Sequence, residues 1–303
     1  MFELVTGIVL LVSGIFTMRF GLKKAFWYKF KNVIIKATKT PLHALLLGIG
    51  SAALFQSSTT VCLITIGLVS SEYMSFRQAV GIILGANIGT CSTVQLVNFT
   101  LPVEILLSLL VLSLLLTLHR KIKYFSFAFA GLISLLTGVT FLTKGIASIS
   151  ELDAVCSYLA VAQSSPFYAI GGGIGLTFAF QSSSAATAFI MLLISDGLID
   201  IVTAAYIIYG NNIGSCVSSV VFSAAAPPAA RRVAVSHIIL NVAGTAAFLP
   251  FTNLLVSTTA SITSDLGTQV ALIHLLFNVL SSVIAFLFLN MFTRLVYFLV
   301  PSR

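Results

Sequence analysis

Two apolar stretches, residues 42–70 and 166–195, are each interrupted near the middle by an uncharged polar cluster. The clusters are Gln56-Ser57-Ser58-Thr59-Thr60 and Gln181-Ser182-Ser183-Ser184-Ala185. Neither half of either stretch reaches the roughly 20 residues that a helix needs to cross a hydrocarbon layer about 30 Å thick. The bilayer is nonetheless the solvent to consider: of 303 residues 58% are hydrophobic and only 8% charged, where a soluble domain carries roughly 25% charged residues. Irregular backbone at membrane depth persists only where protein or a water-filled cavity satisfies its amides. Each stretch therefore reads as a re-entrant helical hairpin rather than as one spanning helix.

Charge, Pro and Gly punctuation places full crossings near 2–18, 77–97, 103–118, 124–142, 201–222, 233–250 and 269–290. The expected fold is an all-α polytopic membrane protein, a single transmembrane transport domain over 1–303 with about seven full crossings and two re-entrant hairpins. Residues 19–41 read as a basic cytoplasmic loop. With that loop inside, 15 of the 16 Lys and Arg residues fall inside, Lys144 excepted, and seven of the eight acidic residues fall outside, Glu72 excepted. The positive-inside rule then gives an outer N-terminus and a cytoplasmic C-terminus. No Lys or Arg precedes the first apolar run, whose first basic neighbour is Arg19, so it reads as a retained span rather than a cleaved leader. Orientation accounts for the formal charge of +8 without a nucleic-acid partner, and the segment from Arg19 to Lys39 also suits anionic lipid. Asn98-Phe99-Thr100 fits a glycosylation sequon on the outer side.

The two polar clusters stand 125 residues apart, and the same offset aligns Gly-Ala-Asn-Ile-Gly-Thr-Cys at 85–91 with Gly-Asn-Asn-Ile-Gly-Ser-Cys at 210–216 without a gap. Residues 48–93 and 173–218 share 17 identities in 46 positions, where composition alone gives on the order of four. The chain is internally duplicated, with repeat 1 at about 42–97 and repeat 2 at about 166–222. Three expected crossings separate the two hairpins, an odd number, so the copies enter from opposite faces as an inverted-topology repeat. Such repeats with broken helices are an architecture of secondary transporters, whose site lies where the broken elements meet. Packing alone has no use for Gln-Ser-Ser at matched depth, because each unpaired polar group in hydrocarbon costs several kcal/mol.

Gln56, Ser57, Ser58 and Thr59, with Gln181, Ser182, Ser183 and Ser184, offer oxygen lone pairs and O–H and N–H donors without formal charge. A hard cation such as Na⁺ takes oxygen ligands, and an anion takes donors together with the free amides and positive dipole end of a helix N-terminus. Asn87 and Thr90, and Asn212 and Ser215, share a helix face at i, i+3; they suit either a supporting Na⁺ site or a glycine-mediated helix contact bonded through Asn. His237 and Asn241, and His274 and Asn278, recur at i, i+4 within two spans and read as structural, with a proton-coupled His as the alternative. Cys62, Cys91, Cys156 and Cys216 have no metal-site spacing. No nucleophile elbow, zinc motif or P-loop occurs, so the chain reads as a non-enzyme that needs no cofactor.

The paired clusters, the GANIGT and GNNIGS segments and the His-x-x-x-Asn spans resemble the sodium/phosphate cotransporter family, the type II group of animal kidney and intestinal transporters and many bacterial members. The resemblance covers roughly residues 43–290. It implies Na⁺-driven symport of inorganic phosphate by alternating access, with Gln56, Ser57, Ser58, Gln181, Ser182, Ser183 and Ser184 as the core site and Thr59 keeping the hydroxyl of a third Ser. The partners implied are phosphate, Na⁺ as coupling ion and only metal, and the lipids of a bacterial plasma membrane. Phosphate export, another oxyanion, a channel and a non-transporting phosphate sensor are the alternatives. Many bacterial members carry a PhoU-like regulatory domain after the membrane part; this chain ends at Arg303, and regulation through such a domain is expected to be absent. Apart from Glu3 and Glu104, each the second residue of an expected span, no Asp or Glu falls inside one, where electrogenic animal members use an acidic residue at a sodium site.

Overall fold

The computed structural model describes residues 1–37, 40–97, 101–224 and 226–301, with the side chains of 27–37 and 150 outside that description. The sequon at 98–100 also lies outside it. All regular structure among the described residues is helical. In chain order the helices are α1 (Phe2–Ala37), α2 (Pro41–Phe55), α3 (Ser58–Ser70), α4 (Phe76–Leu96), α5 (Val103–Leu116), α6 (Lys123–Gly145), α7 (Asp153–Ser164) and α8 (Pro166–Phe180). They continue as α9 (Ser183–Ser195), α10 (Ile201–Gly214), α11 (Val217–Ser223), α12 (Pro228–Phe248), α13 (Thr252–Ile262), α14 (Leu266–Leu287) and α15 (Leu289–Leu299). Five segments are long and apolar enough to cross a membrane: Phe2–Phe26, Phe76–Leu96, Lys123–Ile149, Pro228–Ile262 and Leu266–Leu287.

Three expectations are corrected. The segment expected as a loop over 19–41 is helical through residue 37, because α1 runs on to Ala37. Gly7, Gly14 and Gly21 along α1 face Gly131, Gly138 and Gly145 along α6 in antiparallel register, and a Cβ at any of them would collide with backbone of the other helix. Small residues at the seam let two backbones approach closely in a membrane, and a seven-residue spacing keeps them on the seam of a pair of helices. Since Gly21 belongs to this seam, the helix cannot stop at residue 18. The expected crossing at 201–222 is two helices, α10 and α11. The Ser215 hydroxyl (2.7 Å) and the Cys216 thiol (3.6 Å) both donate to the Asn212 carbonyl, while the Cys216 amide turns to Ile213 at 3.0 Å. Local side-chain bonds here displace the helical ladder. In α4 the corresponding Thr90 bonds one residue further back, to Ala86 at 2.7 Å, and the helix continues. The expected crossing at 103–118 is the 14-residue α5, about 21 Å long at 1.5 Å per residue.

The duplication is visible in the helices. α2, α3 and α4 begin at 41, 58 and 76, and α8, α9 and α10 begin at 166, 183 and 201, each pair 125 residues apart. Among the described residues four have positive φ, Gln56 with Gln181 and Glu72 with Gly197, and these are again pairs at that offset. Both copies pack their first helix on their third through backbone contact. A Cβ on Gly85 would overlap the Leu45 carbonyl oxygen, and one on Gly210 would overlap that of Ile170. The buried apolar side chains form two clusters, one around α2, α3, α4 and α12, the other around α1, α6, α9, α10 and α14.

Gly85→Ala and Gly210→Ala should each lower stability by about 1–3 kcal/mol, the usual cost of overpacking, read as thermal unfolding in detergent. Gly50→Ala and Gly175→Ala, where a Cβ meets nothing within 4 Å, should be neutral or raise stability by up to about 1 kcal/mol, the propensity difference between Gly and Ala in a helix.

Candidate functional site

Each polar cluster is a junction between two helices, and its sequence explains its geometry. Gln56 (φ 54°, ψ 32°) and Gln181 (φ 50°, ψ 25°) adopt the left-handed conformation that ends α2 and α8, a conformation that costs a non-glycine residue on the order of 1–2 kcal/mol. The side chains offset part of this cost. Nε2 of Gln56 donates to the Ala53 carbonyl, and Nε2 of Gln181 donates to that of Phe178 at 2.7 Å, covering carbonyls that a helix end leaves without a partner. The next residue is extended and caps the following helix: Ser57 Oγ accepts from the Thr60 amide (3.1 Å) and Ser182 Oγ from the Ala185 amide (3.3 Å). Gln-Ser thus closes one helix and opens another within two residues.

The junctions face one cavity of about 620 Å³. Ser57, Ser58 and Thr59 line it from the first, and Gln181, Ser182 and Ser183 from the second. Thr90 and Ser215 add hydroxyls to the lining, as do Thr60, Thr177 and Ser218, with Phe55 and Phe178 among the apolar wall residues. The N-termini of α3 and α9 therefore open onto a shared space, where free amides and the positive dipole end favour an anion. Thr59 Oγ1 lies 3.5 Å from the Ser215 carbonyl, which ties the first junction to the end of α10.

Four of the residues expected at the site stand outside the cavity lining. Gln56 is buried with its Oε1 unpartnered, and Ser184 is buried with its Oγ unpartnered. Asn87 donates to Asn241 Oδ1 and pairs through its own Oδ1 with His237 Nε2, both at 3.0 Å, so it links the first repeat to α12. Asn212 donates to the Ile208 carbonyl at 2.9 Å. In the His-x-x-x-Asn spans it is the His carbonyl that takes the Asn side chain, at 3.1 Å in α12 and 2.8 Å in α14, which leaves the His237 ring for Asn87. Cys62, Cys91 and Cys216 are buried free thiols, and no cluster of three or more His, Cys, Asp or Glu residues suited to a metal ion occurs among the described residues.

Two groups were not anticipated. Arg19 and Lys23, expected in a cytoplasmic loop, line the cavity from α1. Arg19 Nε donates to the Gln56 carbonyl at 2.8 Å and Nη2 to Ser182 Oγ at 3.1 Å, so one guanidinium touches both junctions. The signal for it was the spacing of Gly7, Gly14 and Gly21, which extends α1 past residue 19. The second group is Asn211, fully buried, which accepts from Thr177 Oγ1 and donates to Thr187 Oγ1, both at 3.2 Å. The first repeat has Ala52, Ala86 and Cys62 at the corresponding positions, so this brace belongs to the second half alone.

The family model described as Na⁺/Pi-cotransporter matches the chain twice, over residues 10–144 and 134–283. YqeW of Bacillus subtilis, whose name states no activity, is 27% identical over 297 residues, covering 98% of this chain and 97% of that protein. YjbB of Escherichia coli, named as a candidate inorganic phosphate export protein, is 24% identical over 296 residues, covering 96% of this chain but 54% of its own length. The human sodium-dependent phosphate transport protein 2C is 37% identical over 82 residues, which is 26% of this chain and 14% of that protein. No solved structure matches the chain significantly.

Ser57→Ala should destabilise the protein by about 1 kcal/mol through loss of the cap. Ser182→Ala should cost roughly 1–2 kcal/mol more, since it also removes the acceptor of a charged donor. Thermal unfolding of the two variants in one detergent checks the order.

Proposed function

The chain belongs to the Na⁺/Pi-cotransporter family, and from that premise we propose that it is a sodium-dependent symporter of inorganic phosphate working by alternating access. The observation that carries this reading is the single cavity onto which both Gln-Ser junctions open. In this reading the stretches 42–70 and 166–195 are re-entrant hairpins that enter the membrane from opposite faces, and the repeats are an inverted pair. Phosphate sits between the N-termini of α3 and α9, held by the hydroxyls of Ser57, Ser58, Thr59, Ser182 and Ser183. Na⁺ takes oxygen lone pairs at the edge of the same cavity, where Thr90 and Ser215 donate their own protons to helix carbonyls (2.7 Å each) and present lone pairs outward. Neither a cofactor nor a catalytic step is required. The protein resides in a bacterial plasma membrane, with its N-terminus outside and its C-terminus in the cytoplasm.

Net export of phosphate is the second reading, favoured by the name that YjbB carries. The same site serves either direction, because the gradients of phosphate and of the coupling ion set the sign of net flux.

Purified protein in proteoliposomes should concentrate labelled phosphate under an inward Na⁺ gradient and fail to do so when K⁺ replaces Na⁺ at equal ionic strength. Ser58→Ala and Ser183→Ala should each lower uptake at least tenfold while still inserting, the scale of one lost bond to a charged ligand. Equal uptake in Na⁺ and K⁺ overturns the symport reading, and unchanged uptake in both variants overturns the assigned site.

A further inference from the structure

Arg19 is a charged residue in a segment apolar enough to span a membrane, where a guanidinium is costly and marks a functional position unless it is paired. Its partners here are neutral, the Gln56 carbonyl and the Ser182 hydroxyl. The cavity it lines is free of Asp and Glu among the described residues, and Lys23 lines it as well, one helical turn further along α1. A wall with two basic residues and no acidic one favours an anion beside those residues in a medium of low dielectric constant.

The contact with Ser182 also has a chemical direction. A serine hydroxyl has two lone pairs and one proton. Ser182 Oγ accepts from the Ala185 amide and from Arg19 Nη2, so both lone pairs are engaged and its proton is left to donate. A hydroxyl in that state hydrogen-bonds an anion and is a poor ligand for Na⁺. Ser57, its counterpart in the first junction, accepts from the Thr60 amide and is not bonded by Arg19. The guanidinium has five N–H donors and uses two in these contacts, and its planar fork matches the edge of a tetrahedral oxyanion.

We propose that Arg19, supplied by a helix outside both repeats, is the specificity-determining group that makes the second junction the anion-binding half of the cavity. Its remaining N–H donors and the Ser182 proton bind a tetrahedral oxyanion together with the amides at the start of α9. This rests on the transport reading above and identifies which group carries the charge recognition. The cavity thereby discriminates by charge even though the duplicated clusters are neutral.

The test is equilibrium binding of labelled phosphate to the full chain in detergent, with uptake in proteoliposomes, for the parent, Arg19→Lys and Arg19→Gln. Arg19→Lys keeps the charge and loses the fork; it should raise Kd and KM on the order of tenfold, change the maximal rate less than about threefold and leave the Na⁺ activation midpoint in place. Arg19→Gln should lose saturable phosphate binding. A readout that needs no variant is labelling of the folded parent with phenylglyoxal, mapped by mass spectrometry: saturating phosphate should protect Arg19 and leave the exposed Arg120 reactive. Variants that bind within twofold of a binding parent, or Arg19 labelling that phosphate does not change, overturn the assignment and leave the transport reading intact. A parent that binds none of phosphate, arsenate or sulfate overturns the transport reading and this inference with it.

Discussion

A helix cannot be broken inside hydrocarbon unless every amide and carbonyl it releases finds a partner. In this chain the Gln-Ser dipeptide meets part of that demand within two residues. The left-handed Gln turns the backbone and covers a carbonyl of the helix it ends, and the Ser caps the helix that follows. Solving the junction this way leaves the first amides of α3 and α9 and a set of hydroxyls facing an interior cavity. The arrangement that makes the break tolerable therefore also brings free helix amides and hydroxyls to one cavity, which is what the proposed ion site uses.

Holding two such junctions against one cavity depends on close helix contact, which glycine provides at both levels of the fold. Within each repeat, Gly85 and Gly210 bring the third helix onto the carbonyls of the first. Outside the repeats, the six glycines between α1 and α6 bind the N-terminal helix to the bundle and fix where Arg19 lies. Since lipid is as apolar as leucine, such contacts rely on packing and hydrogen bonds rather than on hydrophobic burial. The halves are not equivalent despite their common plan. Arg19 reaches the hydroxyl of Ser182 and the carbonyl of Gln56, and the Thr177–Asn211–Thr187 brace exists in the second half alone.

Much of the helical layout could be read from the residues, because the repeat offset, the polar interruptions and the apolar periodicity are local signals. The bounds of α2, α3, α8 and α9 follow directly from Pro41, Pro166 and the two Gln-Ser junctions. What was missed depended on tertiary partners or on a spacing left unused. Gly7, Gly14 and Gly21 announce a helix that passes Arg19, yet seven basic residues between 19 and 39 gave the appearance of a loop. At Ser215 the hydroxyl bonds three residues back and the helix breaks, whereas at Thr90 it bonds four back and the helix continues, a difference that leaves no trace in hydropathy. Which members of a polar cluster face inward follows from helix phase: Ser182 and Ser183 line the cavity, and Ser184 turns away from it.

The central claim is that one kind of helix junction, used twice from opposite faces of the membrane, builds a single site. Ser71 and Asp196 are exposed, stand 125 residues apart and follow α3 and α9, so on the proposed topology they mark the membrane-surface ends of the two hairpins. The most direct measurement is labelling of Ser71→Cys and Asp196→Cys, one at a time and with Cys156 replaced by Ser, using a membrane-impermeant maleimide on intact and then on permeabilised cells. The account predicts that Asp196→Cys labels in intact cells and that Ser71→Cys labels only after permeabilisation. Labelling of both from the same side would contradict it.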